Sequence, residues 1–322
     1  MKLKESVFII FALLMLASCN VLTNGQIKNI NAFATCANNY TYFPSQVFQK
    51  RADLHLNNEL LEASQFTDAD RIAKRVNSAR EHYHAVMQLS DKFDLSLKLL
   101  QQYAGLLAKL SSDSYITDLT TSTNDLNDNL SNLVNTYNLT AETKLPVAVG
   151  QQISNVILIV GKRITKNRQA RELKKFIPAG NSLIKATVNN LVEVLDTDAF
   201  VGLDGLKYPS LKALLEKEKN DFVTNYKNVV LANTQQNGNK ISYSSIQTYS
   251  NTINDFETTE ALRQATVIAA KKLARAHETL TREMERRKRM SEIKIEIQDL
   301  IADVQQLHKI IKEFRSVNTV SE

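Results

Sequence analysis

The chain has 322 residues, 43% of them hydrophobic, with no Trp, 8 Gly and 4 Pro. So few turn-formers exclude the tight reversals of a β-sandwich or barrel and point to an all-α protein with long helices and one or two sizeable cores. The formal net charge of +6 is too small and too dispersed for a nucleic-acid binder, but it permits attraction to anionic lipid or an anionic envelope polymer.

Lys2 and Lys4 form a short basic region ahead of Val7 to Leu16, an apolar run too short for an ordinary spanning helix. The run ends in Leu16-Ala17-Ser18-Cys19. These residues resemble the lipobox of bacterial lipoprotein precursors. The resemblance implies removal of residues 1–18, a diacylglycerol on the Cys19 sulfur and, in many bacteria, a palmitate-type chain on its amine. One acyl chain binds a bilayer marginally, whereas two or more hold firmly. The resemblance therefore implies a cell-envelope protein anchored to a lipid bilayer through Cys19 without spanning it. Asn20, where inner-membrane lipoproteins often carry Asp, implies the outer membrane over the inner where a cell has both. Loss of residues 1–18 removes Lys2, Lys4 and Glu5 and lowers the net charge by one. Cys36 is then the remaining cysteine, with no intrachain disulfide partner, so stability must come from packing.

From Asn20 to about Tyr42 the residues show no period and are rich in Asn, with a turn signal at Asn24-Gly25. Residues 19–43 read as the acylated cysteine and a tether of roughly 25 Å. Residues 44–322 read as a single helical-bundle domain. Pro44 to about Gln65 is a first helix, and Thr67 and Asp68 cap a second. In that second helix Ile72, Val76, Ala79, Tyr83, Val86, Ser90, Phe93, Leu97, Leu100, Ala104, Leu107 and Ser111 alternate at spacings of four and three. A helix of about 60 Å follows. The parallel stripe Leu89, Leu99, Leu106 and Leu110 widens the buried face and favours a multi-helix bundle over a two-stranded coil.

Another seam runs from Ile116 through Leu119, Leu126, Leu130 and Leu133. Then Leu145–Gly161, which carries no charge, predicts a central apolar helix around which the others pack. The same segment could instead enter a membrane. Its length of about 25 Å falls short of the roughly 30 Å hydrocarbon core, and Gln151, Gln152 and Asn155 break its apolar surface, so core packing is expected.

A basic stretch follows through Lys175, and Pro178 and Gly180 are expected to interrupt it before a short helix over Ser182–Asp196. Residues 197–209 read as a loop or hinge. Leu211 to about Thr234 is helical, Asn237-Gly238 is a turn, and a last helix extends from about Thr258 to Phe314. Its seam is Ile293, Ile297, Leu300, Val304, Leu307 and Ile311. The fold expected is an elongated antiparallel helical bundle with long coiled-coil-like helices.

No constellation for catalysis, a cofactor or a metal emerges. His82 and His84 diverge by about 200° on a helix. Glu81-x-x-His84 has the spacing of one di-iron ligand pair but no second such pair exists. The residues preceding and following Gly161-Lys162 fail the phosphate-loop pattern. The dense cationic run Arg286, Arg287, Lys288 and Arg289 is read as a solvated helical turn or as a contact for anionic lipid or an acidic partner. The expectation is a non-enzymatic, membrane-anchored envelope lipoprotein acting as scaffold, spacer or protein-interaction module, which could also oligomerise. The alternative is a membrane-active protein whose arrangement resembles the α-helical pore-forming toxins, with 145–161 inserting.

Overall fold

The structure is a computed structural model that describes residues 22–112, 166–201, 207–236, 240–286 and 291–318. Among them are seven helices: α1 (Asn24–Tyr40), α2 (Phe43–Ala63), α3 (Ala69–Leu110), α4 (Lys166–Asp196), α5 (Leu211–Gln236), α6 (Tyr243–Arg286) and α7 (Ser291–Asn318). Two three-residue strands, β1 (Ala199–Val201) and β2 (Lys207–Pro209), pair antiparallel with Phe200 opposite Tyr208. The all-α bundle expected from composition is therefore what the chain forms, with one small hairpin where residues 197–209 read as a loop. The expected central helix, Leu145–Gly161, lies outside the described residues, as do the seam beginning at Ile116 and the lipobox.

Crossing contacts give the helix directions. Arg75 of α3 grips Glu59 and Glu62 of α2, and Asn31 of α1 reaches the Ala108 carbonyl of α3, so α1 and α2 run antiparallel to α3. Gln169 of α4 donates to the Leu110 carbonyl, and Tyr103 of α3 stacks on Phe176. Lys185 pairs with Glu278 while Arg263 reaches Asp196, so α4 and α6 are antiparallel. Arg275 with Glu296 and Lys272 with Asp303 set α7 antiparallel to α6.

The apolar residues divide into two clusters. The larger draws on α1, the start of α2 (Phe43, Val47, Phe48), the second half of α3, α4, Leu211 of α5, α6 and α7; the smaller gathers Leu54, Leu215, Phe222 and Phe256 from α2, α5 and the first half of α6. At 1.5 Å per residue α6 is about 65 Å long, which lets it serve both clusters.

Four sequence-based expectations change. The Asn-rich segment is helix α1, with Ile30, Phe33, Ala34, Ala37 and Tyr40 buried. Their spacings of three and four form one apolar face, and the asparagines lie mostly off it. Thr23 caps it in a reciprocal box with Gln26, its hydroxyl accepting from Gln26 N at 3.2 Å and its own N–H donating to Gln26 Oε1 at 2.8 Å. There is no tether between Thr23 and Tyr40. Cys36, expected in a loose segment, is buried in the larger core, where desolvation first and Asp303 second push its thiol up to about 12. The last helix is two, α6 and α7, with the chain reversing between Arg286 and Ser291.

Finally, α4 continues through Pro178 and Gly180. Packing explains why: Leu173, Phe176, Ile177, Leu183 and Ile184 are all buried on both sides of the proline, which outweighs the loss of one backbone hydrogen bond. Gly180 is required because a Cβ there would stand 2.3 Å from two ring carbons of Tyr103. Gly180→Ala should therefore destabilise the fold by roughly 1–3 kcal/mol through overpacking. Gly105→Ala, on α3 with nothing within 4 Å, should instead gain up to about 1 kcal/mol of helix propensity. Urea melts of the two variants test the pair, and equal midpoints would refute the close approach.

Candidate functional site

Of the residues singled out in the sequence, Cys19, Arg287, Lys288 and Arg289 lie outside the described residues, and Arg286 is the last residue of α6. The histidines fare differently. His82 and His84 point to different surroundings, as their spacing requires, but His82 meets His55 of α2, with ring centroids 4.1 Å apart. Nothing in the local sequence pairs these two; the α2–α3 crossing does.

Around them is a polar cluster between α2, α3 and α5. Arg51, only 2% exposed, donates from Nη2 to Glu218 Oε1 and from Nη1 to His82 Nε2 at 3.1 Å. His55 Nδ1 stands 3.0 Å from the same Glu218 oxygen, at an angle that makes no hydrogen bond. Desolvation, then the neighbouring His55 and Arg51, push His82 down to about 4. It is thus neutral and keeps the Nε2 lone pair that Arg51 needs. A guanidinium in the middle of the cluster opposes a metal cation, and no group of His, Cys, Asp or Glu suited to a metal occurs among the described residues.

A second cluster sits in the larger core. Tyr103 Oη lies 2.7 Å from His277 Nε2, and His277 Nδ1 lies 3.3 Å from Asn181 Oδ1. Burial, followed by the charge of Lys185, pushes His277 down to about 3. Neutral His277 therefore donates from Nδ1 to Asn181 and accepts at Nε2 from Tyr103, whose hydroxyl burial keeps protonated. Tyr103 and His277 are 0% exposed, so no substrate reaches them. A third cluster joins α4 to α6: Arg263 donates to the Leu195 carbonyl, Asp196 and Glu260, closing the C-terminus of α4. At Asp196 and Glu260 burial works against the charge, but the hydrogen bonds from Arg263 prevail and hold both carboxyls below their usual range.

A solvent-facing cleft of about 380 Å³ opens where the α1–α2 corner meets α3 and α7. Asn38, Asn39, Thr41, Tyr42 and Ser45 line one wall, Asp94, Leu97, Lys98 and Gln101 another, and His308 the third. Amides and hydroxyls dominate it, so it offers hydrogen bonds of both senses without a nucleophile–base pair. Asp94 is held above the usual carboxylate range by burial, with Lys98 acting against the shift.

The apolar surface is concentrated elsewhere. Leu231 near the end of α5, Ile241 just before α6, and Tyr243 and Ile246 in its first turn are exposed at 51, 53, 78 and 55%. They lie at the end of the bundle where Tyr226 packs on Tyr249, far from Leu22. No helix among the described residues is long and apolar enough to cross a membrane. No family model, no curated protein and no solved structure matches the chain.

Two expectations follow. Arg51→Met would leave Glu218 buried without its cation and should destabilise by roughly 3–5 kcal/mol, while Arg51→Met with Glu218→Met should recover most of the loss. A chemical-denaturation cycle reads this; a double variant as unstable as the single one would refute the pairing. The second concerns acid. The folded state holds His277 at about 3, well below the unfolded value near 6.5. The unfolded chain therefore takes up the proton first as pH falls, and stability declines from about pH 6.5 downward by up to about 1.4 kcal/mol per unit. His82 adds a smaller contribution of the same sign. Asp53, Asp94 and Asp255, raised by burial, oppose it near the acid end. Melting midpoints from pH 7 to 4 should fall, and His277→Gln should flatten that slope; an unchanged slope would contradict the neutral-histidine assignment.

Proposed function

We propose that this chain is a lipid-anchored, non-enzymatic envelope protein whose helical bundle is held at a membrane by one pole and presents the other to a protein partner. The observation that carries the reading is the placement of two features at opposite ends. Leu22, three residues after the lipobox cysteine, is buried in the larger core. Leu231, Ile241, Tyr243 and Ile246 stand exposed at the far end. Exposed apolar side chains gathered at one end of a bundle suit a contact surface.

The polar clusters support the same reading. Arg51, Arg263 and His277 are sealed between helices and lock their packing, which suits a rigid spacer. The membrane-active alternative turns on Leu145–Gly161, outside the described residues, and leakage of dye from vesicles by the acylated protein would favour it.

Acylation is tested first. Cys19→Ala should abolish incorporation of labelled fatty acid and leave the precursor unprocessed; label retained on that variant would defeat the anchor. The far pole is tested by Ile241→Ser with Ile246→Ser. Because both side chains face solvent, the melt should stay within about 0.5 kcal/mol of the parent, while association with envelope proteins falls. Unchanged association would remove the contact role from this surface.

A further inference from the structure

The cleft between the α1–α2 corner, α3 and α7 is built by elements far apart in the chain. Asp94, Leu97, Lys98 and Gln101 recur at spacings of three and four, so they lie along one face of α3. Opposite them the chain turns from α1 into α2, with the Thr41 N–H bonded to the Asn38 carbonyl and the Tyr42 N–H to that of Asn39. Phe43 pins the start of α2, fully buried, and its ring meets His308 of α7 edge-on with centroids 4.8 Å apart. The three walls are therefore set by core packing and not by the polar groups they display.

Those polar groups have bonding capacity to spare. The Thr41 hydroxyl donates to the Asn38 carbonyl at 2.7 Å and the Ser45 hydroxyl to the Tyr42 carbonyl at 3.3 Å, which leaves the lone pairs of both to accept. The side-chain amides of Asn38, Asn39 and Gln101 each carry two donors and an acceptor, and Asp94 carries two accepting oxygens. Among the described residues these four side chains make no hydrogen bond. Asp94 and Lys98 stand one helical turn apart and act on each other's charge, so neither sign prevails between them. Apolar wall is scarce: Leu97 is 3% exposed, and Tyr42, 45% exposed, adds ring area at the rim.

We propose that this cleft binds a neutral saccharide, one or two rings of an oligosaccharide. A sugar ring carries neighbouring hydroxyls that each donate and accept, which is the demand that three amides, a carboxylate and two accepting hydroxyls meet together. An apolar ligand would lack the hydrophobic lining such ligands need, and an anion or cation would find its counter-charge already engaged across one turn of α3. The volume of about 380 Å³ lies toward the small end of ligand sites, and the opening to solvent lets a longer glycan continue beyond the walls. This inference goes beyond the scaffold reading and does not draw on acylation at Cys19.

The test uses the chain from residue 19 with Cys19→Ser, which carries no lipid and retains every described residue. Saturation-transfer NMR with cellobiose, maltose and the disaccharide of N-acetylglucosamine should show binding of at least one, with a Kd on the order of 1 mM. Asp94→Asn with Gln101→Ala removes two or more hydrogen bonds and should weaken that binding about tenfold. Burial holds the Asp94 carboxyl above its usual range, so an uncharged amide there should not lower the melting midpoint. Asn39→Ala, at the exposed end of α1, provides a second variant on the opposite wall and should weaken binding severalfold. Gln247→Ala with Asn251→Ala, exposed amides near the start of α6, should leave it within about twofold of the parent. Silence from all three sugars, or an equal loss in the cleft and α6 variants, would overturn the site.

Discussion

The described part of the bundle depends on how closely other helices approach the second half of α6. Ala269, Ala270 and Ala276 are fully buried there, between Leu262, Leu273 and Leu280. Small residues at these positions let neighbouring backbones come near without opening voids. The helices α1, α4 and α7 all contact α6, and α2 and α5 join it along its first half. A helix about 65 Å long with neighbours on several sides cannot be amphipathic in the simple sense, and the polar side chains it brings inward must find partners.

Those partners explain the interior polar groups. Arg263 secures the end of α4, Thr266 hydrogen-bonds its own helix while the Thr266 carbonyl receives Tyr40 from α1, and His277 links α3 to α4 through Tyr103 and Asn181. Each ties a particular residue of one helix to a particular residue of another. Apolar seams repeating every three or four residues tolerate sliding by one turn; a buried guanidinium or imidazole does not, because a slip would leave it unsatisfied. The polar clusters set helix register within a core whose stability comes from apolar burial.

The two poles acquire different surfaces from the same topology. Lys28, Arg171 and Lys294 are exposed near the starts of α1, α4 and α7, while Leu231, Ile241, Tyr243 and Ile246 are exposed near the end of α5 and the start of α6. Along the chain these residues are scattered from Lys28 to Lys294, and no local run announces them. Arg286 was read as part of one long helix, but it is the last residue of α6.

What the sequence determined by itself was what depends on neighbours a few residues away. The seam of α3 and its Asp68 cap were readable because helical spacing and capping are local. The same locality misled at α1, where asparagines obscured the face formed by Ile30, Phe33, Ala34 and Tyr40, and at Pro178, where a local helix-breaker is overruled by buried apolar residues on both sides. Only tertiary structure decided that His55 would meet His82, that Gly180 would face the ring of Tyr103, and that Lys28, Arg171 and Lys294 would share an end. Those outcomes depend on which helices cross and at what height, and crossing geometry comes from packing complementarity across residues far apart in the chain.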